Sequence, residues 1–192
     1  MVANHQEQPT WEVEQKFRLP VELAIEERLG QLDAKAIGIE NHVDTYLRHP
    51  CRDFRETDEA LRIRSINGVA WVTYKGPRLA GSVKIRPEIE LPLALDTADA
   101  WLRIWQNLGF VVAAQVKKER QVFHANYLDT NFVVALDSVQ ELGRFAELEL
   151  IIHDLSHRDH AQNQIQKLAE KLGLQMVERR SYLGMLLALR GE

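Results

Sequence analysis

Trp11-Glu12-Val13-Glu14-Gln15-Lys16-Phe17-Arg18-Leu19 decides the reading of this chain. Side chains alternate across an extended strand. Glu12, Glu14, Lys16 and Arg18 therefore share one face, and Trp11, Val13, Phe17 and Leu19 share the other. The same sorting recurs downstream. Over residues 83–91, Lys84, Arg86, Glu88 and Glu90 stand opposite Val83, Ile85, Ile89 and Leu91. Arg62 and Arg64 oppose Leu61 and Ile63, Lys118 and Arg120 share a parity, and Glu147 and Glu149 oppose Ala146, Leu148 and Leu150.

For any single strand, an apolar face on a core and a charged face in water satisfies this alternation. Several strands with both signs of charge at i, i+2 spacing, and few Thr, Ser, Gln or Asn among them, suggest a second solution. If the sheet closes on itself, the charged faces line an interior and helices cover the apolar faces outside. Eight strands leave a lumen about wide enough for side chains and one small ligand. Lys75 and Asp137 join that lining. Ions withdrawn from water must be paired, hydrated or matched by a ligand. Rows of Arg and Lys suit a chain of phosphates, and carboxylates beside them suit a hard divalent cation that bridges to phosphate oxygens. A purely structural salt-bridged lining is the alternative.

The rest of the chain supplies the frame. Strands are expected at 11–19, 36–48, 60–66, 69–76, 83–91, 111–125, 132–140 and 144–153, with Asn67-Gly68 forming a tight hairpin turn. Helical spacing follows Pro20 through Val21, Ile25, Leu29 and Leu32. It recurs after Thr97 through Trp101, Ile104, Trp105 and Leu108, after Ser156 through Ala161, Ile165, Leu168 and Leu172, and over 181–189. The expected class is α+β: a largely antiparallel, eight-stranded closed β-barrel with flanking helices, forming one domain over 11–192 behind a flexible lead at 1–10. The Trp101 and Trp105 face suits either an intramolecular cover or a homodimer contact.

At 192 residues the chain is long enough for a sizeable core. Its 24 Lys and Arg against 28 Asp and Glu exclude a polybasic binder of nucleic acid or anionic membrane. No stretch approaches the ~18 apolar residues of a membrane span. The polar start lacks the layout of a secretory signal, and the lone Cys51 has no partner for an internal disulfide, so a soluble protein in a reducing cytoplasm is expected. The histidines show no ligand-like spacing within one segment.

Glu12-Val13-Glu14-Gln15-Lys16 resembles the ExExK signature of the CYTH, or triphosphate tunnel metalloenzyme, superfamily. Segments in matching order follow: Ala60-Leu61-Arg62-Ile63-Arg64, Tyr74-Lys75-Gly76-Pro77, Arg86-Pro87-Glu88-Ile89-Glu90, Lys118-Glu119-Arg120, Leu136-Asp137, and Phe145-Ala146-Glu147-Leu148-Glu149. Residues 44–54 and Arg180-Ser181-Tyr182 look most like the class IV adenylate cyclase branch. The resemblance implies that Glu12, Glu14, Glu147 and Glu149, with Asp137 as partner, hold Mg2+ or Mn2+. It implies that Arg62, Arg64, Lys75, Lys84, Lys118 and Arg120 grip a triphosphate, and that Lys16 lies beside the reacting phosphorus. Arg86 joins these or positions its neighbours, and Arg180 reaches across the mouth from the terminal helix.

Such a site supports two reactions. Attack by the 3'-hydroxyl of ATP on the α-phosphorus yields cyclic AMP and pyrophosphate. Attack by water on a terminal phosphorus of ATP, tripolyphosphate or thiamine triphosphate yields orthophosphate. A non-catalytic binder of polyphosphate or nucleotide is the third reading.

Overall fold

The computed structural model describes residues 11–77 and 87–191. Its strands are β1 (Trp11–Arg18), β2 (Lys35–Arg48), β3 (Ala60–Ile66), β4 (Val69–Lys75), β5 (Glu88–Pro92), β6 (Val111–Tyr127), β7 (Thr130–Val139) and β8 (Gly143–Ile152). Helices α1 (Ile25–Gly30), α2 (Ala98–Asn107), α3 (Arg158–Leu172) and α4 (Tyr182–Leu189) complete it. The strands form one antiparallel sheet in the order β1-β8-β7-β6-β2-β3-β4-β5. Asn67 and Gly68 turn the β3–β4 hairpin at φ 49° and 89°, the positive values that a tight two-residue turn needs.

The apolar parity of β1, β7 and β8 lies under α1 and α3. Val13, Phe17, Val134 and Leu148 meet Ile25, Leu29, Ile165, Leu168 and Leu172 in one buried cluster. α3 stops at Gly173, whose φ of 71° is left-handed and suits glycine. The charged parity lies on the concave side. One end of that concavity is filled by α4, whose Met185, Leu186 and Leu187 pack with Tyr46, Val116, Val139 and Phe145. Helix capping fixes the start of α4, since Gly184 N–H donates to Ser181 Oγ at 3.0 Å.

The expected closed barrel is corrected to a curled half-barrel, because β1 and β5 are the two ends of the sheet and do not pair. The outer edge of β1 is already engaged. Phe17 bridges Val177, Arg18 N–H donates to Met176 O at 2.8 Å, and Glu178 N–H donates to Lys16 O at 2.8 Å. β5 has only five residues and ends on Pro92, which has no ladder donor. The Glu12 carboxylate on β1 nevertheless feels the charges of Lys75 on β4 and Glu88 on β5.

Among the described residues, α2 has no intramolecular cover, one of the two alternatives for its Trp101 and Trp105 face. None of its residues is buried, and Trp101 and Ile104 are exposed. Among the described residues, no helix is long and apolar enough to cross a membrane.

Candidate active site

The site is built from side chains of one parity on consecutive strands. Register pairs Asp44 with Arg64 and Tyr46 with Arg62 across β2 and β3, so all four face the concavity. Arg64 donates from Nε to Asp44 Oδ1 and from Nη2 to Asp44 Oδ2, both at 2.7 Å, and Arg62 Nη1 donates to the same Oδ2 at 3.2 Å. Burial pushes the Asp44 carboxyl up. The hydrogen bonds from Arg64 and the charges of Arg62, Arg64 and Lys118 outweigh burial and hold it at about 2.

A second lattice lies on β6, β7 and β8. Asp137, whose side chain is wholly shielded from solvent, accepts Lys118 Nζ at 2.9 Å, Arg120 Nε and Nη2 at 2.7 Å each, and Tyr182 Oη at 2.7 Å. These donors overcome its burial and keep it well below the usual carboxylate range. Arg120 also donates to Glu147 and lies 3.6 Å from Glu149 Oε1. Burial, reinforced by Arg120, lowers the Lys118 ammonium below its ordinary value. Lys16 Nζ, almost fully buried, is 3.9 Å from Glu147 Oε1. Thus two aspartates each organise a pair of cations, and the cations point into one space.

The third component is acidic. Register pairs Glu14 with Glu149 across β1 and β8, and one carboxylate oxygen from each of Glu12, Glu14 and Glu149 lies within 4.8 Å of the others. Glu12 is open to solvent at the mouth, yet loss of hydration inside the cleft and then the Glu14 charge push it up to about 7. Glu149 is pushed up to about 8 by burial and then by Glu12. Carboxylates that resist ionising because they are shielded from water and then because they crowd one another are a fitting donor set for a hard divalent cation, whose charge offsets both.

The structure therefore brings together Glu12, Glu14, Lys16, Arg62, Arg64, Lys118, Arg120, Asp137, Glu147 and Glu149 on one concave face. Lys75 sits on the opposite wall and donates to Glu88. Asp137 and Glu147 do not join the three-carboxylate group; both contact Arg120. Arg180 is mostly exposed and is held by Glu178, to which its Nη2 donates at 2.7 Å. Lys84 and Arg86 lie outside the described residues.

Asp44 and Tyr182 contact these side chains directly but were not among the expected site residues. Asp44 has the same parity as Glu40, His42 and Tyr46, so the alternation that marked the other strands was present in β2. It was diluted there by His42 and Tyr46. His42 is buried, with Nε2 2.7 Å from Glu40 Oε2, and loss of hydration lowers its ring to about 4.

A family model for the CYTH domain matches residues 11–182. A Methanocaldococcus jannaschii protein named "Putative adenylate cyclase" is 33% identical over 174 residues, covering 90% of this chain and 96% of its own length. Among solved structures, a Pyrococcus horikoshii protein aligns with a TM-score of 0.82 at 37% identity, over 93% of this chain and 99% of that one. A Hippeastrum protein, described as a "putative adenylyl cyclase" with a dominant triphosphatase activity, shares the fold at a TM-score of 0.67 and 17% identity, over 94% of this chain and 96% of that one. The matched span runs from β1 to the first residue of α4 and contains every strand of the sheet, so this chain belongs to the CYTH domain family.

Proposed function

We propose that this protein is a divalent-metal-dependent enzyme that acts on a triphosphate, and that its reaction is the conversion of ATP to cyclic AMP and pyrophosphate. One observation carries the triphosphate reading: a three-carboxylate cluster and a wall of guanidinium and ammonium groups share one concavity. The cyclase assignment rests on the name borne by the Methanocaldococcus jannaschii relative.

In this reading Arg62, Arg64, Lys75, Lys118 and Arg120 bind the phosphate oxygens, joined by Lys84 and Arg86. Arg180 contributes from the rim. Asp44 and Asp137 fix the guanidiniums in advance, so that little reorganisation accompanies charge development on the phosphate. Glu12, Glu14 and Glu149 hold Mg2+ or Mn2+, with Glu147 beside them. A cation bound there supplies charge neutralisation and polarises a phosphoryl oxygen. Lys16 stands next to the reacting phosphorus.

The charge lattice is indifferent to which phosphorus is attacked, and a fold neighbour is described as a triphosphatase. Hydrolysis of tripolyphosphate, thiamine triphosphate or a nucleotide to orthophosphate is therefore the second reading. Purified protein is incubated with ATP, tripolyphosphate or thiamine triphosphate and either metal, and the products are separated by ion-exchange chromatography. Cyclic AMP and pyrophosphate in equal amounts are expected from ATP. Orthophosphate alone rejects the cyclase and supports the triphosphatase. Turnover no faster than that of a Glu12→Ala, Glu14→Ala control rejects both.

A further inference from the structure

Building on the reading of the concavity as a triphosphate site, we propose that Tyr182 is a positioning residue for it: from the terminal helix, Tyr182 fixes where Lys16 and Lys118 present their charge. The contacts meet at one side chain. The Tyr182 hydroxyl donates to Asp137 Oδ2 at 2.7 Å. Its ring lies 4.0 Å from Lys16 Nζ and 5.3 Å from Lys118 Nζ, measured to the ring centre. Phe145 packs edge-on against the same ring, with centroids 5.1 Å apart.

The physical need for such a device comes from lysine itself. Lysine carries a point charge on a flexible four-carbon stem and has no planar fork to set its direction. Asp44 and Asp137 can orient Arg64 and Arg120 by two-point hydrogen bonding, but no such geometry is available to an ammonium. An aromatic face attracts a cation through its quadrupole without neutralising it. Lys118 already donates to Asp137 and Lys16 already lies 3.9 Å from Glu147, so a further carboxylate in place of the ring would take up more of the charge that the phosphate requires. Tyr182 therefore gathers both ammoniums beside one ring, while its hydroxyl adds a donor to the Asp137 hub that also accepts Lys118 and Arg120.

The ring is in turn held by the seating of α4. Tyr182 opens the helix directly after the Ser181 cap and belongs to the buried cluster of Met185, Leu186 and Phe145. Placement of the terminal helix is thereby transmitted to two cations on β1 and β6.

The test uses the full chain with Tyr182→Phe and Tyr182→Leu. Phenylalanine keeps the aromatic face and loses the hydroxyl, whereas leucine loses both and keeps apolar bulk. Inorganic tripolyphosphate binding is measured by calorimetry, and the lysine ε-methylene protons by NMR, where a ring face shifts them upfield. Wild-type protein is expected to show two upfield-shifted lysine signals. Phenylalanine should retain them and keep affinity within about threefold. Leucine should abolish them and weaken binding tenfold or more while still melting cooperatively. A folded leucine variant that binds as wild type does overturns the proposal. So does wild-type protein without shifted lysine signals, which decides the matter even if the leucine variant does not fold. Wild-type protein that shows the shifts but fails to bind tripolyphosphate refutes the triphosphate reading, and with it Tyr182's role in phosphate binding, while leaving the lysine positioning established.

Discussion

The Asp44 carboxylate and the Arg64 guanidinium meet across β2 and β3 as a two-point pair, Nε to Oδ1 and Nη2 to Oδ2, both at 2.7 Å. Arg62 shares the second oxygen at 3.2 Å. One buried anion thus fixes a buried and a half-buried cation on the neighbouring strand, and Asp137 repeats the arrangement with Lys118 and Arg120. The concave face is a lattice of oriented cations anchored at two points.

That anchoring has a pH signature. Asp44 titrates at about 2 in the fold against an ordinary value of 3.8. Its folded pKa is depressed, so its contribution is present above about pH 4 and is lost as pH falls through about 2. The shift corresponds to about 2 kcal/mol. Denaturant melts of wild type and Asp44→Asn between pH 5 and pH 2 should converge as the acid end is approached. Parallel curves would show that Asp44 contributes no pH-dependent stability. At neutral pH, Asp44→Ala should cost about 3 to 5 kcal/mol, because it strands buried guanidiniums without their partner.

The acidic cluster predicts the opposite slope. Glu12 and Glu149 are raised to about 7 and about 8. A carboxyl raised in the fold holds its proton more tightly there than in the unfolded chain, so metal-free protein loses stability as pH rises from about 4.5 to about 8. Between pH 6.5 and 8.5 the folded His42, lowered to about 4, stays neutral, and its unfolded form, with an ordinary value of 6.5, opposes the fall only near the lower limit. Thermal melts in EDTA should therefore fall over that range, and Mg2+ or Mn2+ should restore several degrees at pH 8.5 by binding the folded state. Glu14→Gln, with one charge removed from the cluster, should melt higher than wild type without metal at pH 8.5 and gain less from it. A variant that melts lower, or gains as much, would remove Glu14 from the metal-holding set.

Period-two sorting was enough to read the charged face of β1, β3 and β8, because there charged side chains recur at i, i+2 with mostly apolar residues between them, although Gln15 and Ser65 interrupt the apolar parity. It also gave the antiparallel class and the Asn67-Gly68 hairpin. Closure was not legible. Whether β1 and β5 pair depends on what occupies the outer edge of β1, and Met176–Glu178 reaches it from more than 150 residues away in the chain. The division of labour among the carboxylates was hidden for a similar reason. Glu147 and Glu149 sit two residues apart on one strand, yet Glu149 joins Glu12 and Glu14 while Glu147 accepts from Arg120. Cross-strand register decides which partner each meets, and alternation along one strand does not contain it. Tyr182 stands out in the sequence only within Arg180-Ser181-Tyr182, since an isolated Tyr at a helix start carries no pattern.

The half-barrel should be unevenly protected. β7 and β8 lie inside the sheet with α3 against β8, and Val134, Ala135, Ala146 and Leu148 are fully shielded. β5 is the terminal strand, and all five of its residues are exposed. Amide exchange followed by mass spectrometry should find β8 protected up to the global unfolding free energy and β5 exchanging through local opening. Equal protection of both strands would indicate that β5 has a partner strand in solution.

Arg64→Ala isolates ligand binding from stability better than removal of either aspartate, because Arg62 still occupies Asp44 when Arg64 is gone. If Arg64 contributes a charged hydrogen bond to the phosphate chain, its loss should weaken tripolyphosphate binding by about 1.5 to 3 kcal/mol, or roughly 10- to 150-fold. Arg158 is the control. It too is paired with an aspartate, Asp159, but at the start of α3, with Asp159 84% exposed. Arg158→Ala removes the same formal charge from the molecule and should leave affinity within about twofold. Calorimetric titrations at two salt concentrations separate a local contact from the field of the whole protein, since exposed charges are screened strongly and buried ones much less. Equal losses in the two variants, fading together at high salt, would mean that net charge attracts the anion and that Arg64 makes no specific contact.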